Sequence, residues 1–314
     1  MKWLIAFAMV ALGSGCSIKR FAVNQVGNAL ASGGSTFTSD DDPDLVEGAI
    51  PFGLKMYESL LAESPNHAGL LLAAAQGFTE YSYAFVDSRI DEAKEADLDR
   101  ANAMRDRARR LYLRAWRYGM RGLEARHRGF GAALDDDAAT VLARTDKRDA
   151  PMLYWTAAAR GLAISLSKDN PELIAELPLV EMLVHRVAEL DEGFENGAVP
   201  EFLITFEAAR TDVGAEEQQR LMRQHFERAL VLSQGKRAGT YVSFAENASL
   251  PAQNAAEFKT MLEQALAIDP DSDPEHRLAN LVAQRRARWL LGRMDELFLA
   301  TGAPNLEEDS CEEN

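Results

Sequence analysis

Cysteine is nearly absent: the 314-residue chain holds two, Cys16 and Cys311, one close to each end. A disulfide framework is therefore excluded as the source of the fold. Histidine is almost as scarce. His67, His127, His185, His225 and His276 lie far apart and form no His-x-x-x-His or His-Glu-x-x-His spacing, so no zinc helix is written in the chain. Glu124-Ala125-Arg126-His127 is a lone Glu-x-x-His, whereas a di-iron bundle needs two such motifs and further inward glutamates. Gly-rich phosphate loops and a Gly-x-Ser-x-Gly elbow are missing. Alternating β-branched runs are also missing, which leaves helical periodicity as the organising pattern and all-α as the expected class.

Two near-matches to catalytic or metal motifs fail on their neighbours. Ser165-Leu166-Ser167-Lys168 has the Ser-x-x-Lys spacing of penicillin-binding enzymes, but no Lys-Thr-Gly follows and Pro171 ends the helix. Asp269-Pro270-Asp271-Ser272-Asp273 begins like a calcium loop, yet Pro274 stands where Gly is required and Asn280 where Glu is required. The expectation is a protein without catalytic residues, metal or cofactor. Its 34 basic and 49 acidic residues leave a formal charge of -15. That balance disfavours nucleic acid and anionic lipid surfaces and favours a cationic or neutral partner.

At the N-terminus Lys2 precedes the apolar run Trp3 to Leu12, and Gly13-Ser14-Gly15 then turns small. The run is far shorter than the roughly 20 residues that span a bilayer, and it reads as a signal peptide over 1–15. Cys16 stands where cleavage would otherwise free an ordinary N-terminus, so its thiol is the expected acceptor of diacylglycerol. Gly13 takes the third place before it, where Leu is preferred, and Leu12 lies one further back. Ser17 rather than Asp follows, which favours the inner leaflet of the outer membrane, with the protein facing the periplasm. More than one acyl chain makes such an anchor stable.

Residues 16–43 are small and polar and read as a tether; the folded domain is expected over 44–303, with an acidic tail over 304–314. Within the domain, apolar periodicity predicts helices over 45–63, 67–86, 101–125, 131–143, 152–167, 177–190, 199–209, 216–232, 254–268 and 274–299. Asp42 or Asp44 is the expected cap of the first. One phrase recurs at helix ends: Leu60-Leu61-Ala62-Glu63-Ser64-Pro65, Val187-Ala188-Glu189-Leu190, Ala229-Leu230-Val231-Leu232 and Ala265-Leu266-Ala267-Ile268-Asp269-Pro270. Small, aromatic and Pro residues at such offsets let paired helices approach and then stop, as in tetratricopeptide repeats. The spacing is irregular, so the expected architecture is a divergent tetratricopeptide-like array of helical hairpins whose concave face binds polypeptides. Aromatic and polar groups at Tyr154, Trp155, Asn280, Gln284, Arg285 and Trp289 are candidates for lining a ligand passage or an interaction surface; buried packing and interhelical hydrogen bonds are the competing role.

The chain resembles the T component of tetratricopeptide-repeat-protein-associated TRAP transporters. The resemblance is carried by Asp41-Asp42-Pro43-Asp44-Leu45-Val46-Glu47-Gly48-Ala49-Ile50-Pro51-Phe52, Glu58-Ser59-Leu60-Leu61, Leu153-Tyr154-Trp155, Phe226-Glu227-Arg228-Ala229-Leu230, Leu278-Ala279-Asn280 and Arg286-Ala287-Arg288-Trp289-Leu290-Leu291. It implies a non-enzymatic envelope lipoprotein that forms homotrimers and associates with a periplasmic TRAP solute-binding protein. There it would assist delivery of a small organic or hydrophobic ligand. The competing expectation is a tetratricopeptide-like lipoprotein scaffold in outer-membrane protein assembly or cell-wall machinery.

Overall fold

An apolar stripe on almost every helix demands a neighbour, and the chain meets that demand mostly with helices one or two places along. The computed structural model describes residues 23–30 and 35–298. Cys16, the signal segment and the 304–314 tail lie outside the described residues. The described residues contain helices and no strand. The principal helices are α1 (Pro43–Glu63), α2 (Ala68–Phe85), α3 (Ile90–Ala96), α4 (Leu98–Arg126), α5 (Phe130–Ala143), α6 (Ala150–Ser165), α7 (Leu177–Leu190), α8 (Ala198–Ala209), α9 (Ala215–Ser233), α10 (Ala238–Phe244), α11 (Ala255–Ala267) and α12 (Arg277–Leu291).

Local chemistry sets the ends. Asp42 caps α1 by accepting from the backbone N–H groups of Asp44 and Leu45, and Pro43 opens the helix with its φ already helical. The His67 imidazole accepts from the Leu70 N–H at the start of α2. The four recurrent phrases all terminate helices, at α1, α7, α9 and α11, with Ser64, Asp191, Gln234 and Ile268 as the residues just beyond.

Three features depart from the periodicity. Residues 23–30 and Ser35–Thr38 are helical inside the stretch read as a tether, and Phe37 packs on the main core. The last expected helix is broken at Gly292-Arg293, and only Met294–Leu297 continues as a short turn. Finally, α3, α10 and the π-turn Ala245–Ser249 were not predicted, because each is too short for an apolar stripe to declare itself.

The main core joins α1, α2, α4, α5, α6, α7 and α8, with Leu70, Leu71, Leu123, Phe130, Leu153 and Leu183 among its fully buried members. Its tightest seam is α4 against α6. A Cβ at Gly119 would stand 2.1 Å from Thr156 Oγ1 and 3.2 Å from the Thr156 backbone, and one at Gly122 would collide with the Met152 side chain. A second core gathers α10, α11 and α12 around Phe258, Leu262 and Leu290.

The two ends of the array then meet. Helix α12 packs on α10 and α11 on one side and on Ser35–Thr38 and α1 on the other. Leu278 and Val282 reach into the main core. Arg277 donates to the Ser39 carbonyl, Arg285 pairs with Asp44, Arg286 pairs with Asp91 and donates to the Ser88 carbonyl, and Arg293 pairs with Glu95.

Gly119→Ala is expected to destabilise the fold by about 1–3 kcal/mol through overpacking, read by urea unfolding. Thr156→Ala in the same chain should recover part of that loss; strict additivity of the two substitutions would show that the seam is not the cause.

Candidate functional site

Helix α2 is apolar nearly all round, yet Gln76, Glu80, Tyr83 and, just past its end, Asp87 fall at successive helical spacings on one face. That face does not point at outer solvent. Tyr83 is 49% exposed, and its phenol pKa is nevertheless raised by desolvation first and then by Glu246, Glu201 and Asp87, with Arg286 opposing, groups that come from three other elements and from the turn just past α2. The polar face of α2 is therefore near α8, the Ala245–Ser249 turn and α12, and these groups together form an inner face. Further along, burial, Glu195 and Glu201 raise the pKa of the buried Tyr154, with Arg237 opposing. Glu201 acts on both tyrosines and links the two ends of this inner face.

Several of the charged groups there have an identifiable hold. Arg237 Nε donates to Glu201 Oε2 at 2.9 Å and its Nη1 to the Glu195 carbonyl at 2.8 Å. Thr240 Oγ1 donates to the same Glu201 oxygen at 2.8 Å. Burial would lower the Arg237 pKa, but Glu201, Tyr154 and Glu195 outweigh it and hold the guanidinium charged. At the other end the π-turn Ala245–Ser249 carries Glu246, which accepts from Arg286 Nε at 2.9 Å and Nη2 at 2.6 Å. Asp87 accepts from Tyr112 Oη at 2.8 Å, and its pKa is raised to about 6, first by burial and then by Asp91 and Glu246.

Glu80 and Glu195 are the weakly supported carboxylates. The Glu80 carboxylate receives one amide hydrogen bond, from Gln76 at 3.0 Å, and burial raises its pKa to about 7, with Glu195 adding to the rise. Burial also raises Glu195. These two carboxylates and the Tyr83 hydroxyl keep hydrogen-bonding capacity to spare among the described residues, as donors or acceptors according to protonation.

Beside Arg286 the inner face opens into a cleft of about 580 Å³, lined by Asp91, Lys94, Glu95, Glu246, Trp289 and Leu250, with Leu290 and Leu297 completing the apolar wall. The Arg286 guanidinium lies 4.4 Å and that of Arg293 5.6 Å from the Trp289 ring.

The residues singled out from the sequence are placed as follows. Trp289 lines the cleft. Tyr154 borders the inner face but is buried, packing on Trp155 at 5.0 Å and Phe194 at 5.0 Å, with its hydroxyl on the Ala198 carbonyl. Trp155 is core. The Asn280 side chain accepts from the Ala238 N–H and donates to the Lys236 carbonyl, while Gln284 donates to the Ala265 and Ile268 carbonyls and so satisfies the end of α11. Arg285 belongs to the closing contacts, on Asp44. Ser165 donates to the Leu162 carbonyl, and Glu124 accepts from the Gly129 and Gly131 N–H groups. Among the described residues no group of three His, Cys, Asp or Glu side chains is placed to hold a metal ion, and no helix is long and apolar enough to cross a membrane. The inner-face residues Glu80, Tyr83, Asp87, Glu195, Glu201, Arg237, Glu246 and Arg286 were not picked out in advance. A polar stripe on an otherwise apolar helix was the available signal for the first three.

The family model for the TRAP transporter T-component matches residues 39–298. The chain belongs to that family. It is also similar to a protein of Treponema pallidum (strain Nichols), described as uncharacterized, at 31% identity over 314 residues, covering 94% of this chain and 96% of the relative. As a T-component the chain is an accessory part of a TRAP transporter, associated with the cell envelope.

The raised Glu80 pKa has a sign that can be tested. The folded state holds this proton more tightly than the unfolded chain, so stability from this group falls as pH rises from about 4.5 to about 7. Glu80→Gln should flatten that part of the pH profile and raise Tm at pH 8 by roughly 2–4 °C; an unchanged profile would contradict the burial of the charge. Arg286→Ala should cost about 3 kcal/mol in chemical unfolding, because Glu246 and Asp91 lose their cation.

Proposed function

We propose that this T-component is an envelope-tethered scaffold that binds the periplasmic solute-binding protein of its TRAP system and helps pass it a small organic ligand along the inner face. The observation that supports this reading is the proximity of Glu80, Tyr83, Asp87, Glu195, Glu201, Arg237, Glu246 and Arg286, drawn from four parts of the chain, together with the cleft beside Arg286. Hydroxyl, carboxylate and guanidinium groups suit a polar organic molecule with hydrogen-bond donors better than a wholly apolar one. None of the groups is arranged as nucleophile, base and oxyanion donor, so the wall guides and holds without transforming. Lipidation of Cys16, at the inner leaflet of the outer membrane, would keep the scaffold close to its soluble partner and raise their effective concentration. Assembly as a homotrimer is part of the same reading.

Native mass spectrometry of the chain from Ser17 onward, mixed with the solute-binding protein of the same transporter, should show a complex and a homotrimer. A monomer that ignores the solute-binding protein would sink the proposal. Tyr83→Ala should leave that complex intact while reducing transfer of a small molecule co-purified with it, followed by mass spectrometry of the extract. In whole cells Cys16→Ser should move the protein to the soluble periplasmic fraction with its thermal unfolding unchanged, and retention in the membrane fraction would refute the anchor.

A further inference from the structure

One long helix of this acidic chain carries the opposite sign. Helix α4 carries nine arginines and no lysine, against Asp99, Asp106 and Glu124, a balance of +6. The whole chain stands at -15, so the remainder carries -21. Arg107, Arg110, Arg114, Arg117 and Arg121 follow one another at spacings of three and four, which lines them along a single face of the helix. At 1.5 Å per residue that stripe is about 21 Å long.

Its members alternate in state. Arg107, Arg114 and Arg121 are held down: their guanidinium carbons lie 5.7 Å from the Tyr81 ring, 5.3 Å from Phe78 and 5.4 Å from Tyr118. They are tied further to Tyr81 Oη, Glu58 and the Pro65 carbonyl. Arg110 and Arg117 lie between them, exposed, and neither makes a hydrogen bond or ion pair with any described residue. Guanidinium groups resting on rings lose little freedom when they meet an anion, and the two free ones, about 10 Å apart along the axis, are left to form new pairs.

We propose that this stripe is a docking surface for an acidic strip of a protein partner, whose carboxylates seat on Arg110 and Arg117. The planar fork of Arg matches a carboxylate with two parallel hydrogen bonds. A flat anionic membrane fits less well. It would face the -21 of the remaining body, and no exposed large apolar side chain lies between Arg107 and Arg121 to enter it. A narrow acidic strip meets the arginines alone.

The test uses the full chain without its signal segment and three probes: a labelled helical peptide with Glu along one face, the same peptide with Lys in place of Glu, and mixed phosphatidylcholine and phosphatidylglycerol vesicles. By fluorescence anisotropy the Glu peptide should bind and the Lys peptide should not. Arg110→Glu with Arg117→Glu should weaken the Glu peptide by roughly tenfold or more, while Arg110→Lys with Arg117→Lys retains part of the affinity. Unchanged thermal unfolding of both pairs shows that the fold is intact. The proposal is overturned if the charge-reversed chain binds as tightly as the original, or if the vesicles bind and the peptide does not. It is equally overturned if sedimentation shows that charge reversal abolishes self-association of the chain, since the occupant is then a second copy.

Discussion

Everything described about the inner face depends on α12 reaching back across the chain to the first helices. Without the contacts of Arg277, Arg285, Arg286 and Arg293 with Ser39, Asp44, Asp91 and Glu95, the array would be an open stack with one broad concave side. With them, Glu246 and Arg286 from the last third of the chain stand opposite Tyr83 and Asp87 from the first. Arg286 is the hinge of this arrangement because it joins three groups at once: Glu246 within its own half, and Asp91 and the Ser88 carbonyl from the other. A single bidentate cation in a partly desolvated setting does what a row of surface ion pairs could not, since exposed pairs contribute little each.

The inner face is electrostatically uneven. Arg237 and Arg286 are each matched by carboxylates, and Glu80 is left with one amide donor. Such unevenness in a concave place is where pKa values move and where ligands tend to be met. Membership of the T-component family gives the wall a context in transport. The outer surface has its own contrast in α4, whose positive stripe runs through an otherwise acidic body.

Legibility from the sequence divided along physical lines. The ten long helices declared themselves through apolar periodicity, and Asp42 through the chemistry of a cap, because both signals are local. The α-class and the recurrent helix ends were readable for the same reason. The closing of the array was not, because Arg286 and Asp91 are ion-paired across a span of 195 residues and nothing in either neighbourhood announces the other. Asn280 and Gln284 show how a polar residue amid apolar ones misleads. They look like ligand groups, and their amides satisfy backbone at the ends of α10 and α11. Arg285 and Arg286 are adjacent in sequence, yet only the second reaches the inner face, a difference of about 100° of helix rotation that composition does not convey.

Closure also changes how the molecule comes apart. An open stack of helix pairs behaves as a one-dimensional chain of neighbours and can fray from either end at small cost. Here the last helix is locked onto the first, so loss of either end pulls on the other and opening becomes a collective event. Those same contacts join residues 195 to 241 positions apart, so each closes a large loop at an entropic cost that the closed array must offset. The inner wall is therefore complete only when both ends of the chain are in place.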